Sequence, residues 1–377
     1  IRWAADDPLE RFVFRALLLD AAPAAPAQVA PAQVDTAVVE QLDRDQLLGD
    51  EATLRELFGL LVLAHYRTRP LDLRHLLDGP NVRVWAMRFH GRVVATALTV
   101  REGGFEPDLA RAIWEGRRRP RGHLIPQSLA AHVGLEGAPE RCGDRIMRIA
   151  VHPAVQHRGL GSHLAGAVAE RARAEGVDYV GTSFGATAPL LGFWRRLGLR
   201  PVRVGVSREA SSGAHSVMML RGLTTEGEAI AETAADRFGE QFVHLLSDVL
   251  RTLEPELVLR LLEQPQPKPP GLERQDWRDI VAVAYGRRGY ESALLPVWKL
   301  VGAAVTDAAT MAAMDGAARA VLVGRVLQRR QWQEVAALAG LPGRKRAVEV
   351  LRHALRPLVA CYAPEQALEG FRNAAAD

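Results

Sequence analysis

The chain has 377 residues, of which 48% are hydrophobic, and a formal net charge of +4. This length predicts two or three domains with packed cores, and apolar runs such as residues 57–64 are far too short to span a bilayer. Its two cysteines, Cys142 and Cys361, provide neither a metal-binding spacing nor a disulfide framework, so we expect a cytoplasmic protein with no metal site and no membrane partner.

Residues 1–34 contain two kinds of sequence. Residues 1–20 are typical of the end of an earlier element. Residues 21–34 are rich in Ala and Pro and predict a linker or surface excursion, because proline removes backbone donors. The chain starts at Ile1 rather than at methionine, and we expect it to be part of a longer protein.

Residues 35–222 alternate between strand and helix patterns, which predicts an α/β domain. A tight turn at His90-Gly91 joins the first two strands. A helix, a basic loop and a second helix are expected over residues 110–134. The predicted strands cover residues 82–89, 92–100, 145–151, 177–183, 200–206 and 215–221, and the predicted helices cover residues 54–66, 160–175 and 189–197.

Residues 223–377 are helical in pattern and predict a separate, mainly α-helical domain. Residues 332–355 contain a helix, a glycine turn and a basic helix, a pattern typical of helix-turn-helix motifs and also of ordinary αα-hairpins. We do not expect sequence-specific DNA binding. The basic residues of this region either contact RNA or simply pack; they are Arg344, Lys345, Arg346, Arg352 and Arg356.

A glycine turn follows the third strand of the α/β domain. Gln156, Gly159 and Gly161 stand in the pattern Q-x-x-G-x-G between a strand and a helix. Glycine allows close approach of the backbone to a ligand, and a helix N-terminus offers free N–H groups and positive dipole charge. The turn therefore predicts a pyrophosphate cradle, with Ser162 and Arg158 as further contacts. A plain strand–turn–helix connection is the alternative.

The turn resembles the acetyl-CoA signature of the GNAT acetyltransferases, Q/R-x-x-G-x-G/A, whereas the Rossmann and P-loop patterns are not met. The resemblance implies a GNAT fold, a mixed sheet flanked by helices, in which the strand before the turn diverges from its neighbour. A bare N–H of that strand, at Val151 or a neighbour, would stabilise the oxyanion. The implied acetyl-CoA ligands are Ile149, Ala150, Val151, Gln156, His157, Arg158, Gly159, Leu160, Gly161, Ser162 and Arg196.

Further segments resemble the RNA cytidine acetyltransferases within this group. They are RIAVHP at residues 148–153, SFG at 183–185, FWRRLGL at 193–199, and residues 65–85 and 118–132. The resemblance implies transfer of acetyl from acetyl-CoA to the exocyclic N4 of a cytidine, most closely the wobble cytidine of elongator tRNA(Met), coupled to ATP. A GNAT enzyme acting on a protein lysine or small amine, and a non-catalytic RNA-binding module, remain the alternatives.

The resemblance also implies a domain division. Residues 1–34 would be the end of an ATPase-like module plus a linker, residues 35–222 the GNAT domain, and residues 223–377 a helical domain that binds tRNA. Arg2 would contact the nucleotide of the ATPase module. The chain contains no Walker A motif, so we expect no ATP hydrolysis from it alone. Family members often carry a carboxylate where this chain has Pro189.

The implied chemistry needs a base as well as an oxyanion site. Cytosine N4 is a weak but neutral nucleophile, so positioning and oxyanion stabilisation dominate, and a proton must leave as the adduct forms. The candidate bases are His65 and His152, followed by His123 and Glu209, and each of them is equally compatible with a structural role. We expect direct transfer, with neither cysteine as a relay.

A basic loop is the candidate RNA contact. Clustered arginines bind phosphate, although a solvated charged loop is the alternative. The candidate residues are Arg117, Arg118, Arg119 and Arg121.

Overall fold

The computed structural model describes residues 7–64, 70–209 and 213–364. Within these residues the chain divides into two compact units. The first contains residues up to 185 together with 193–238, and the second contains residues 186–192 together with those from 239 onward. The first unit therefore extends to residue 238, past the predicted boundary at residue 222, because it includes the first part of a helix that begins at Thr225.

A mixed sheet organises the first unit. Within the described part of the chain it has seven strands in the order β1-β2-β3-β4-β5-β7-β6. Neighbouring strands are antiparallel except for β4 and β5, which are parallel. The strands are β1 (Val38–Leu42), β2 (Val82–Phe89), β3 (Arg92–Gly103), β4 (Cys142–Val151), β5 (Tyr179–Gly185), β6 (Arg200–Arg208) and β7 (His215–Gly222).

The six predicted strands are confirmed, each starting within three residues of its expected position. His90 and Gly91 have φ values of 47° and 78°, as a two-residue hairpin turn between right-twisted strands requires. Sequence reasoning missed β1. This strand lies at the sheet edge, and its burial does not alternate along the chain, so it lacks the period-two signal of a half-buried strand.

Helices cover the sheet of the first unit. Leu57, Leu60 and Leu61 pack with Val84 and Leu98 of the sheet in one apolar core, and burial of such side chains is the main stabilising term. The helices within this unit are α1 (Pro8–Leu17), α2 (Pro26–Val29), α3 (Arg44–Gly49), α4 (Glu51–Ala64), α5 (Pro70–Asp78), α6 (Pro107–Trp114), α7 (Leu124–Ala131) and α8 (Leu160–Ala174). Two more, α9 (Ala188–Arg196) and α10 (Thr225–Leu245), each have residues in both units.

Residues 21–34, predicted to be a linker or surface excursion, are packed against the fold. Val29 and Ala32 have no exposed surface. The carbonyl of Ala24 lies 2.9 Å from a ring nitrogen of His152, and the carbonyl of Ala32 accepts from Arg158 at 3.3 Å. The Ala-rich composition suits this role, because small side chains allow the backbone to approach its neighbours closely.

The second unit is helical, as predicted. Its core contains Leu300, Val323, Leu351 and Leu355, all without exposed surface. The helices are α11 (Pro255–Leu262), α12 (Arg274–Ala284), α13 (Leu294–Ala304), α14 (Ala308–Ala312), α15 (Gly316–Val321), α16 (Trp332–Leu338) and α17 (Arg344–Tyr362), with a π-helical segment at Leu322–Leu327.

The predicted helix–turn–helix pair is formed by α16 and α17. Gly340 between them has a φ of 64°. Arg352 of α17 donates to the carbonyl of Gly286 at 2.7 Å, and Arg356 donates to that of Ala284 at 3.0 Å. These two arginines therefore satisfy carbonyls at the end of α12, which is the packing role left open by the sequence.

A carboxylate at the end of α8 joins this helix to two strands of the sheet. Glu175 accepts from Arg101 and Arg171 at 2.9 and 2.8 Å and also from Arg83. Arg101 in turn binds both oxygens of the buried Asp144. Burial alone would raise the pKa of Glu175, but the three arginines lower it to about 2.

Replacing Glu175 with glutamine removes the anion that these arginines share. We expect Glu175→Gln to lower the free energy of unfolding at pH 7 by about 1–2 kcal/mol. Because the folded pKa is depressed, the contribution of the carboxylate is complete above about pH 4.5 and is lost as the pH falls toward 2. Thermal unfolding followed by circular dichroism across this pH range measures the difference.

The exposed Glu136, which pairs with no cation of the described residues, supplies the control Glu136→Gln. Its unfolding temperature should match that of the unchanged protein at each pH. A destabilisation by Glu175→Gln that stays constant on acidification would contradict the assignment.

Candidate functional site

Strand β4 leaves its neighbour β5 halfway along its length. The parallel pairing runs from Gly143 to Ile146 and then stops. Along the other edge, Leu98 faces Arg148 while the next residue of β3 faces Ile146, so Met147 is one extra residue in β4. Such a bulge bends the strand that contains it. The divergence expected from the sequence is therefore present, and a bulge lies at the point where it begins.

The free backbone groups of β4 point into this opening. The N–H of His152 donates to the carbonyl of Val94 at 2.8 Å, and Val151 faces Ala95 in the ladder. The groups that point toward a partner alternate along an antiparallel strand. The N–H groups of Ile149 and Val151 consequently point away from β3, toward the gap left by β5.

The glycine turn lies next to this gap. Gly159 has a φ of 83° and precedes α8, whose N-terminus has no side-chain cap. A Cβ placed on Gly161 would lie 3.2 Å from Cγ2 of Val151 and 3.6 Å from the Phe193 ring. The first N–H groups of α8 have no partner within the helix. Glycine at these two positions therefore leaves open a concave, positively polarised backbone surface.

Some of the predicted coenzyme ligands support the site and do not face it. Gln156 donates to the carbonyl of Val151 at 3.2 Å and so joins the turn to β4. Ala150 and Leu160 have buried side chains, and the main chain of Ala150 points toward β3. They shape the site without facing it.

The charged and hydroxylic candidates lie around the same turn. Arg158 donates to the carbonyls of Ala30, Ala32 and Ala154, so it holds residues 30–32 against the turn. Arg196 is exposed in the last turn of α9. His157 is exposed, with a φ of 62°, and Ser162 is half-buried in the first turn of α8.

The hydrogen bonds of His152 do not fit the role of a base. Its Nδ1 accepts from the N–H of Ala154 at 3.2 Å, so Nε2 carries the proton and donates to the carbonyl of Ala24 at 2.9 Å. The side chain is 2% exposed. A base needs a free lone pair, and both ring nitrogens of His152 are used to hold residues 21–34.

The other catalytic candidates are placed as follows. His65 and Arg2 lie outside the described residues. His123 accepts the N–H of Gly103 at 3.0 Å through Nδ1 and lies beside the Phe105 ring. Glu209 follows directly after β6.

The basic loop lines a cavity of about 670 Å³ between α6 and α7. Arg118, Arg119 and Arg121 are part of its lining and pair with no carboxylate of the described residues. Arg117 instead pairs with Glu115 and is not part of the lining. Arg117 is therefore neutralised by a carboxylate, whereas its three neighbours have no carboxylate partner among the described residues.

Uncompensated positive charge extends behind the loop. Burial lowers the pKa of Arg203, and Arg119 lowers it further. Burial is also the main cause of the lowered pKa of His132, followed by Arg203 and Arg119. Cations that disfavour one another in this way are stabilised by an anionic ligand.

Glu102 anchors the cavity and was not found by sequence reasoning. One oxygen accepts from Arg145 at 2.6 Å and the other from the N–H of Ile125 at 2.8 Å, at the start of α7. The carboxylate is 1% exposed. It has no motif of its own, because its partners come from α7 and β4, 23 and 43 residues further along the chain.

No group of three or more His, Cys, Asp or Glu side chains in residues 7–64, 70–209 and 213–364 is arranged to hold a metal ion. Over the same ranges, no helix has the length and apolar character needed to cross a bilayer.

Comparison with known proteins identifies the family. The family model of GNAT acetyltransferase 2 matches residues 56–170 and 163–224. A tRNA(Met) cytidine acetyltransferase TmcA of Nitrosococcus halophilus is 54% identical over 97% of this chain and 49% of its own length. The TmcA of Haloferax volcanii is 38% identical over 98% of this chain and 49% of its own length.

The chain thus spans about half the length of the curated relatives it matches. Among solved structures, the ribosomal-protein-S18-alanine N-acetyltransferase from Escherichia coli is 13% identical, covers 50% of this chain and 95% of its own, and has a TM-score of 0.34. The matches to the GNAT model and to relatives along nearly the whole chain confirm the resemblance read from the sequence: the chain belongs to the RNA cytidine acetyltransferase family, whose GNAT acetyltransferase domain it carries.

Proposed function

We propose that this chain is the acetyl-transferring part of an RNA cytidine acetyltransferase that modifies N4 of a cytidine in tRNA, namely the wobble cytidine of elongator tRNA(Met). The observation that carries the proposal is the opening of β4, where outward-pointing N–H groups meet an uncapped helix start. Relatives named as tRNA(Met) cytidine acetyltransferases support the choice of substrate. ATP belongs to the proposal only together with an ATPase module.

The residues around the opening fit acetyl-CoA. The start of α8, with Gly159 and Gly161, would bind the diphosphate through main-chain N–H groups. Ile149 and Val151 would hold the pantetheine arm through the edge of β4. Acetyl-CoA bound there supplies an activated acetyl thioester. A Cβ at Gly161 would lie 3.2 Å from the Val151 side chain, so glycine at this position lets the start of α8 lie close against β4.

The chain contributes polarisation and orientation to the transfer. The N–H of Val151 would donate to the thioester oxygen as negative charge develops on it. The nucleophile N4 of cytidine forms the new C–N bond, the C–S bond breaks, and N4 gives up one proton. His65 remains the candidate acceptor of that proton, since both nitrogens of His152 are occupied.

The basic cavity supports RNA as the acceptor. Three arginines without a carboxylate partner among the described residues line it, and arginines bind phosphate oxygens. The same charge disfavours a lysine or amine substrate, which would enter as a cation. In the helical unit, Arg344 and Lys345 are exposed at the start of α17 and would add phosphate contacts.

Gly161→Ala tests the coenzyme cradle. The new Cβ would lie 3.2 Å from Val151, and such overpacking costs about 1–3 kcal/mol. We expect the Kd for acetyl-CoA, measured by isothermal titration calorimetry, to rise about tenfold. Gly166→Ala on the same helix is the matched control, because its Cβ meets nothing within 4 Å. Equal affinities of the two variants would argue against the cradle.

Charge reversal in the basic loop tests RNA binding. Arg118→Glu and Arg119→Glu should each weaken tRNA binding and lower the slope of log Kd against log salt by about 0.7–0.9 per lost phosphate contact. Acetyl-CoA affinity should stay unchanged. Arg117→Glu, whose side chain is already paired with Glu115, is the control. A loss as large with Arg117→Glu as with the other two would refute the assignment of the cavity.

The reaction itself is tested with labelled acetyl-CoA and unfractionated tRNA, followed by nucleoside mass spectrometry. We expect N4-acetylcytidine when an ATPase module and ATP are supplied. His65→Ala should reduce turnover about 100-fold, within the usual range for a lost general base, while acetyl-CoA affinity is retained. His152→Asn should instead lower the unfolding temperature and keep the pH profile of turnover. Acetyl-lysine or an acetylated polyamine as the sole product would sink the proposal.

A further inference from the structure

We propose that the helical unit holds a second RNA contact, a pocket that receives one unstacked nucleotide. This inference rests on the proposed function and adds to it a site that the sequence did not indicate. The pocket has a volume of about 480 Å³ and is formed by the end of α10, the start of α13 and the π-helical segment. All of its lining lies in the second unit.

One side of the pocket consists of rings and aliphatic side chains. The ring centroids of Trp298 and His244 lie 6.4 Å apart, and the ring planes are tilted by 35°. Leu294 and Leu295 border the rings and are 49% and 60% exposed. Exposed apolar surface grouped around a concave site is typical of a binding site rather than of a solvated face.

The indole of Trp298 suits a flat ligand, because it is only partly buried and bases stack on aromatic side chains such as Trp and His. His244 is exposed, so its side chain can turn to make room for such a base. A base inserted there would cover one face of the indole.

The opposite side of the pocket is cationic. Arg325 is held in place by the rings of Tyr290 and Trp332, at 5.3 and 4.8 Å, and by the carbonyl of Arg330. It also pairs with Glu291 at 3.7 Å, so Arg329 is the cation that is available to a phosphate. Arg329 is exposed and pairs with no carboxylate of the described residues. It thus provides a free guanidinium next to the aromatic wall.

Local backbone geometry sets these arginines apart from an ordinary helical surface. Arg325 lies within the π-helical segment Leu322–Leu327, and such segments occur often at functional sites. Arg329 has a φ of 51°, a left-handed conformation that costs a non-glycine residue energy. The packing of the unit maintains both features, and they place the two cations on the same pocket.

A planar apolar body with an anion beside it is the ligand that matches both sides. A nucleotide of single-stranded RNA has this form, since its base stacks on aromatic rings and its phosphate binds arginine. A run of acidic side chains would satisfy Arg329, but it offers no planar group to stack on the indole of Trp298. The pocket therefore favours an extruded base of the tRNA.

Binding of unfractionated tRNA to variants of the 377-residue chain tests the pocket. Trp298→Leu keeps apolar volume but removes the ring, and we expect the Kd to rise about tenfold. Arg329→Ala should also weaken binding, whereas Trp298→Phe should stay within about threefold of the unchanged chain. Arg287→Ala, an exposed arginine of the same unit outside the pocket, is the control. Circular dichroism confirms that each variant is folded.

Ultraviolet crosslinking with mass spectrometry supplies the direct readout. A crosslink from RNA to the peptide with Trp298 or His244, lost in Trp298→Leu, supports the pocket. Unchanged Kd values for Trp298→Leu and Arg329→Ala overturn it even if Arg118→Glu weakens binding, in which case the proposed function stands. Absence of any tRNA binding by the unchanged chain overturns both. RNA crosslinks that are confined to peptides outside the pocket overturn the pocket alone.

Discussion

One extra residue in a single strand lies at the point where the candidate active site opens. Met147 gives β4 one residue more than its partner β3 at the position where pairing with β5 ends. Ile146 and Thr182 form the last pair between β4 and β5, and the hydroxyl of Thr182 donates to the carbonyl of Ile146 at 3.1 Å. Beyond it, β4 keeps one hydrogen-bonded edge and one free edge. Where β4 is paired on both edges its amides are used within the sheet, and beyond Ile146 one edge is left for a ligand.

The glycine turn can form a binding site because it lies beside that free edge of β4. An uncapped helix start is common, and by itself it binds nothing in particular. Here it lies beside the N–H groups of Ile149 and Val151, and Gly161 lets the helix approach β4 closely. Residues 21–34 are held next to the turn by hydrogen bonds from His152 and Arg158 to their carbonyls. The site is thus built from main-chain groups, and side chains chiefly support it.

Charge is arranged differently in the two parts of the first unit. Around Glu175 each cation has a carboxylate, and the cluster stabilises the fold. Around the cavity of α6 and α7, Arg118, Arg119 and Arg203 lack such partners within the described residues. Unpaired cations close together raise the free energy of the empty protein and lower it again when a polyanion binds. The helical unit repeats this arrangement on a smaller scale at Arg329.

The amino-acid sequence by itself determined the strands, the hairpin at His90-Gly91, the glycine turn and the family, because these depend on local periodicity and on residues close together in the chain. It did not reveal β1, which lacks alternation, or the packing of Ala24, Val29 and Ala32 against the fold. Only the tertiary structure separated Arg117 from its neighbours, removed His152 as a base and brought Trp298, His244 and Arg329 to one pocket. Those outcomes depend on partners distant in the chain, and no spacing in the sequence encodes which hydrogen bonds such partners complete.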